Sequence, residues 1–121
     1  MLNHTRIAIV GTLVVMTCFV AYSGYRGFIR PLMLGWPVSV DSAADKVIGH
    51  LSEEQRIRLA STKQEDLANY HFGLGLYIRN QFGLWQGNGA LLWSACGDCD
   101  PDDASMAIIE RTWTKVREKT R

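Results

Sequence analysis

The chain has 121 residues, 47% hydrophobic and 21% charged, with a formal net charge of +1. That length allows one small domain, and a near-neutral, mixed-charge body lacks the basic stripe of a dedicated nucleic-acid binder. The charge is unevenly placed: residues 1–30 carry Arg6, Arg26 and Arg30 and no acid, whereas residues 31–121 carry ten Lys/Arg against twelve Asp/Glu.

From Ile7 to Tyr25 there is no charged residue. Nineteen residues rising about 1.5 Å each span about 28 Å, close to the hydrocarbon thickness of a bilayer. Tyr22, Tyr25 and Phe28, with Arg26 and Arg30, form the pattern of an interfacial belt, and Pro31 predicts the end of the helix. Residues 1–30 are therefore expected to anchor the chain, with the lipid bilayer as the partner of residues 7–25. A cleaved export signal competes: Arg6 gives a thin positive region, Ile7–Val20 an apolar core, and Ala21-Tyr22-Ser23 small residues for cleavage. The anchor is preferred because the apolar run and its aromatic flank continue past that point. Arg26 and Arg30 outnumber Arg6 and pull the following domain toward the cytoplasm.

Two prolines and a glycine make residues 31–40 a connector. Helix signals then follow one another and no strand alternation appears, so residues 41–121 are expected to form a small all-α domain of four to five short helices. Val40, Ala44, Val47, Ile48 and Leu51 share one helical face, with Ser39 or Asp41 as N-cap. Ser52 with Gln55, and Thr62 with Glu65, have capping-box spacing. The second box is expected to open a helix that buries Leu67, Tyr70 or His71, Leu74, Ile78 and Phe82 and ends at Gly83. Asn88 caps a short apolar helix over Ala90–Ala95. Pro101, Asp102 and Asp103 open the last helix, where carboxylates suit the dipole, and Met106, Ile109, Trp113 and Val116 form its buried stripe.

Within residues 71–85, Gly73 and Gly75 stand in mid-helix, each costing about 1 kcal/mol relative to alanine. With His71, Arg79, Asn80 and Trp85 around them, they point to close backbone packing beside a polar cluster. The run His71-Phe-Gly-Leu-Gly75, Ile78-Arg-Asn80, Gly83-Leu-Trp85, followed by Pro101-Asp-Asp103 and Ser105, resembles an uncharacterised bacterial domain-of-unknown-function family with HFGLGxxIRNxxGLW and HPDDxS motifs. The resemblance covers roughly residues 37–117. It implies a bacterial envelope setting with the body in the periplasm, because some members follow export signals, but it implies no activity. The chain departs from the pattern at Asp100, where the family usually has histidine.

His71 with Asp102 or Asp103 suits a general base, and also a histidine that locks two helices. Arg79 suits an anionic ligand, and also an internal pair with Asp102 or Asp103. Ser105 acts as a nucleophile only beside a base; otherwise such a serine satisfies helix-terminus groups. Cys96 and Cys99 lack the context of a thioredoxin-like site and read as a local disulfide in an exported body, or as free thiols in the cytoplasm. No ligand-pair spacing calls for a metal, and no cofactor motif is complete: Gly73-Leu-Gly75 lacks the third glycine of a dinucleotide loop. The expected function is a membrane-anchored, non-catalytic module that binds another protein or an envelope component, with an apolar patch at Leu84, Trp85 and Trp93. The alternatives are a hydrolase-like enzyme using His71 with Asp102 or Asp103, and a periplasmic redox or immunity-type partner.

Overall fold

The computed structural model describes residues 2–97 and 99–120; the chain is all-helical among them. A long helix, α1 (Leu2–Gly24), runs through a π-helical turn, Tyr25–Ile29, into α2 (Arg30–Met33). Pro31 therefore does not end the helix. The wide turn before it, closed by the Arg30 N–H to the Tyr25 carbonyl, lets the axis accommodate the ring, and the chain leaves the helix only at Leu34–Gly35. Asn3–Met33 is long and apolar enough to cross a membrane, and its apolar window is wholly exposed. A membrane span or an export signal both have that length and composition.

The body contains α3 (Val40–His50), α4 (Glu53–Ser61), α5 (Leu76–Gln81), α6 (Gly89–Cys96) and α7 (Pro101–Lys119), with a 3₁₀ turn at Gln64–Tyr70 and a π turn at His71–Gly75. Local chemistry sets most boundaries. Ser39 and Ser52 accept from the backbone N–H groups of Ser42 and Gln55 in reciprocal boxes, Asn88 caps α6, and Asp100 caps α7 through the Asp103 N–H. Asp100 thus does cap work at the start of α7.

The expected single helix from Thr62 to Phe82 is instead three pieces, 3₁₀, π and α. Thr62 does not cap it, because its hydroxyl bonds the Arg58 carbonyl and the Tyr70 hydroxyl. Leu67, Ile78 and Phe82 are nonetheless buried, and Tyr70, His71 and Leu74 partly so.

The central element is α7, which packs against α3, α4, α5, α6 and both the 3₁₀ and the π turn of the body. Its buried face is wide: Ala104, Ser105, Ile108, Ile109, Thr112 and Val116. Trp113 and Met106 lie at the edges of that face, Trp113 half-buried with its indole N–H on the Thr62 carbonyl at 2.9 Å. Two surface carboxylates of α3 meet the far end of α7: Asp41 accepts from Arg111 at 2.6 Å, and Asp45 from Lys115 at 2.8 Å.

The connector is tied down. Gly83 adopts φ +69°, and a side chain there would collide with the Trp36 ring that covers it. Asn88, fully buried, donates to the Pro37 and Phe82 carbonyls, both at 2.8 Å, while its oxygen caps Leu91. These contacts join the segment after α2 to the end of α5.

Candidate functional site

Arg79 is the centre of the polar cluster. Its position on α5 follows one residue after the fully buried Ile78, and it is only 4% exposed. A cation in such a place requires partners. Nη1 donates to Ser105 Oγ at 2.9 Å and Nη2 to the His71 carbonyl at 3.2 Å. Nε lies 3.2 Å from Asp102 Oδ1, an ionic contact without hydrogen-bond geometry. Ser105 passes the connection on, donating to the Asp102 carbonyl at 2.7 Å. One guanidinium thus joins the π turn, α5 and the first turn of α7.

Gly75 explains itself here. A Cβ at this position would lie 2.9 Å from Arg79 Nη1, with Ser105 Oγ at 3.5 Å. The glycine leaves the space that the guanidinium fills. Gly73 is different, because nothing lies within 4 Å of where its Cβ would be.

His71 Nε2 stands 3.8 Å from Asp102 Oδ1, beyond a hydrogen bond, and Phe72 packs its ring at right angles to the imidazole at 4.8 Å. Asp102 is shared between Arg79 and His71, with its side chain 48% exposed. The cluster is therefore His71, Arg79, Asp102 and Ser105.

Three residues grouped with it by sequence lie elsewhere. Asn80 is exposed, since one residue beyond Arg79 turns it about 100° round the helix. Asp103 is carried away from Asp102 in the same manner, and is exposed beside Gln64 and Glu65. Trp85 points outward at 55% exposure, because the left-handed Gly83 reverses the chain. The same reversal buries Leu84 to 2%, so it forms no surface patch with Trp85 and Trp93. The structure pairs the sulfurs of Cys96 and Cys99 across a Cα separation of 5.7 Å. Among the described residues no three His, Cys, Asp or Glu side chains gather as a metal site.

A half-open apolar cavity of about 330 Å³ lies between α3, α4 and the π turn, lined by His50, Leu51, Leu59, Tyr70, Leu74 and Tyr77 among others. His50 stacks on Tyr77 at 4.2 Å, with the ring planes 12° apart. His71, Arg79 and Asp102 do not line it. Reading the sequence did not find this cavity. The signal available was the aromatic and apolar set Tyr70, Leu74 and Tyr77, at helical spacing beside a glycine that no packing requires.

Charges bias ionisation at Asp41 and Arg111. The Arg111 hydrogen bond holds the Asp41 carboxyl below its ordinary 3.8, against some desolvation, and Asp41 raises Arg111 in return. This pair is far from the cluster in sequence and lies on the α3–α7 surface.

Residues 36–116 match the family model described as Domain of unknown function (DUF6794), and the chain belongs to that family. The matched region starts after Met33, so the apolar helix lies outside it. No curated protein and no solved structure matches the chain.

Proposed function

Taking as premise a family with no assigned activity, we propose that this chain is a membrane-anchored helical module that binds a protein partner and does not catalyse. The observation that supports this reading is the division of residues 71–81 into two faces. One face is consumed internally: Gly75, Ile78 and Arg79 are buried, and Arg79 donates to Ser105 and the His71 carbonyl and faces the Asp102 carboxylate. The other face serves no internal purpose. Phe72 is 83% exposed, Leu76 is 48% exposed, and the space above Gly73 is open. Exposed apolar side chains grouped at helical spacing beside a cavity are the usual form of a protein-binding surface.

The cavity next to that face has about 330 Å³, at the small end for ligand sites. It suits one or two apolar side chains of a polypeptide. A hydrolase built on His71 and Asp102 has less support: Asp102 is held by Arg79, and the Ser105 hydroxyl is spent on a backbone carbonyl. Residues 2–33 form the anchor in a bacterial inner membrane, and a body in the periplasm suits the Cys96–Cys99 pairing.

A photocrosslinking residue at position 72, introduced in intact cells, tests the proposal. The expected result is one discrete protein adduct that disappears when Leu76→Asp or Tyr77→Ala is added. No adduct at 72, together with a hydrolytic turnover that His71→Ala abolishes without lowering the melting temperature, would overturn it.

A further inference from the structure

The body is not hung on a free linker. Gly89, the first residue of α6, packs directly on the π turn that follows α1: a Cβ at Gly89 would lie 3.3 Å from the Gly27 Cα. Arg30 Nη1 donates to the Gln86 carbonyl at 3.1 Å, and the Arg30 guanidinium lies 5.7 Å from the centre of the Trp36 ring. The turn carrying Trp85 and the start of α6 are therefore fixed beside residues 26–30.

That position has a depth. If Ile7–Tyr25 fills the hydrocarbon layer, Gly27 stands about 3 Å beyond it, within the headgroup region. Gly89 and Trp93 are four residues apart on α6 and share one face. Trp93 thus sits about 6 Å along α6 from the Gly27 contact. It is 70% exposed, and Trp85 is 55% exposed. An apolar ring with a polar N–H suits the membrane interface.

Charge identifies the surface this face meets. Residues 1–40 contain no carboxylate, and neither do residues 67–97; the first segment supplies Arg26 and Arg30. Among the described residues neither arginine is paired with a carboxylate: Arg26 reaches only the Tyr22 hydroxyl, at 3.5 Å, and Arg30 a backbone carbonyl. The acids of the body fall in residues 41–66 and 98–118. Two segments without carboxylates, bearing two cations that no carboxylate pairs among the described residues, are at headgroup depth complementary to acidic phospholipid.

We propose that the body lies against the bilayer through this face, with Arg26 and Arg30 on acidic phospholipid headgroups and Trp85 and Trp93 in the interfacial layer. The proposal rests on the anchor reading of residues 2–33, and its test separates the two. The full chain is reconstituted into vesicles of phosphatidylcholine with phosphatidylglycerol, floated on a density gradient, and its tryptophan fluorescence quenched by shallow brominated lipid. The chain is expected to float and to show quenching, most of which is lost in Trp85→Phe/Trp93→Phe. Quenching is also expected to weaken in Arg26→Gln/Arg30→Gln and in vesicles of phosphatidylcholine alone. A chain that floats with its quenching unchanged in the Trp85→Phe/Trp93→Phe variant, or with no quenching at all, overturns the docking while leaving the anchor intact. A chain that does not float overturns both.

Discussion

Asp102→Asn tests how the cluster holds the body together. The substitution keeps the shape and removes the charge that faces Arg79 Nε at 3.2 Å. The guanidinium stays 4% exposed, with Ser105 Oγ and the His71 carbonyl as its remaining partners, both neutral. Leaving one member of a buried pair alone costs about 3–5 kcal/mol. Here the Asp102 side is 48% open, so water reaches the vacated edge and the expected cost is about 2–4 kcal/mol. For a body of this size that lowers the melting temperature by about 10–25 °C. Asp103→Asn is the control: it lies in the same first helical turn but is unpaired with Arg79, so it loses only a dipole contribution of about 0.3–1 kcal/mol. Arg79→Met removes the cation while keeping its stem volume, and in that background Asp102→Asn is expected to cost no more than the control. Thermal melting of the reconstituted full chain, followed by near-ultraviolet circular dichroism, reads all four. If Asp102→Asn and Asp103→Asn melt together, Arg79 is not held by Asp102, and the cluster is not a structural lock.

The two glycines of the run are expected to respond in opposite directions: Gly73→Ala gains up to about 1 kcal/mol from helix propensity, whereas Gly75→Ala loses about 1–2 kcal/mol by displacing the bonded Nη1 of Arg79. Urea titration distinguishes them, and equal shifts would refute the role given to Gly75. Asn88→Ala removes a cap and two carbonyl contacts in a fully buried place, with an expected cost of about 2–4 kcal/mol in the same titration. A cost below about 0.5 kcal/mol would show the connector to be loosely held. The lowered pKa of Asp41 gives a stability contribution fully present above pH 3.8 and lost as pH falls through its folded value, because the unfolded chain takes up that proton first. Acid melts of wild type and Asp41→Asn should therefore draw together as pH falls from 3.8 and converge once it is below the folded pKa, and a constant gap between them would contradict the Arg111 pairing.

The elements that were legible in the sequence are those settled by neighbours in the chain. Ser52 and Asn88 each lie three residues before the N–H they accept, as does Ser39, one of the two candidates for its helix; Thr62 has the same spacing, but its hydroxyl turns to Arg58 and Tyr70 instead. The Arg79–Asp102 contact was legible for a different reason, since a cation beside buried apolar residues demands a carboxylate. Which of two adjacent aspartates answers depends on the phase of α7, which a sequence pattern does not fix. The 3₁₀ and π turns over residues 64–75 were hidden because the apolar stripe keeps an approximate helical period while the backbone tightens and then widens around the Arg79 site. Leu84 between Gly83 and Trp85 reads as exposed turn, but the ring of Trp36, distant in sequence, occupies the space over Gly83 and turns the chain inward. Residues 31–40 read as a connector from two prolines and a glycine, and the contacts that tie this connector down and bury Pro31 and Pro37 come from residues distant in sequence.

Membrane anchoring, and the docking of the body on the bilayer, both require residues 2–33 to remain with the body. Carbonate extraction of membranes from cells expressing the native chain, followed by intact-mass analysis, measures this directly. The expected result is a full-length chain, with its amino-terminal segment intact, in the carbonate-resistant pellet. A mature protein that begins near Gly24 and is recovered in the soluble fraction would contradict it.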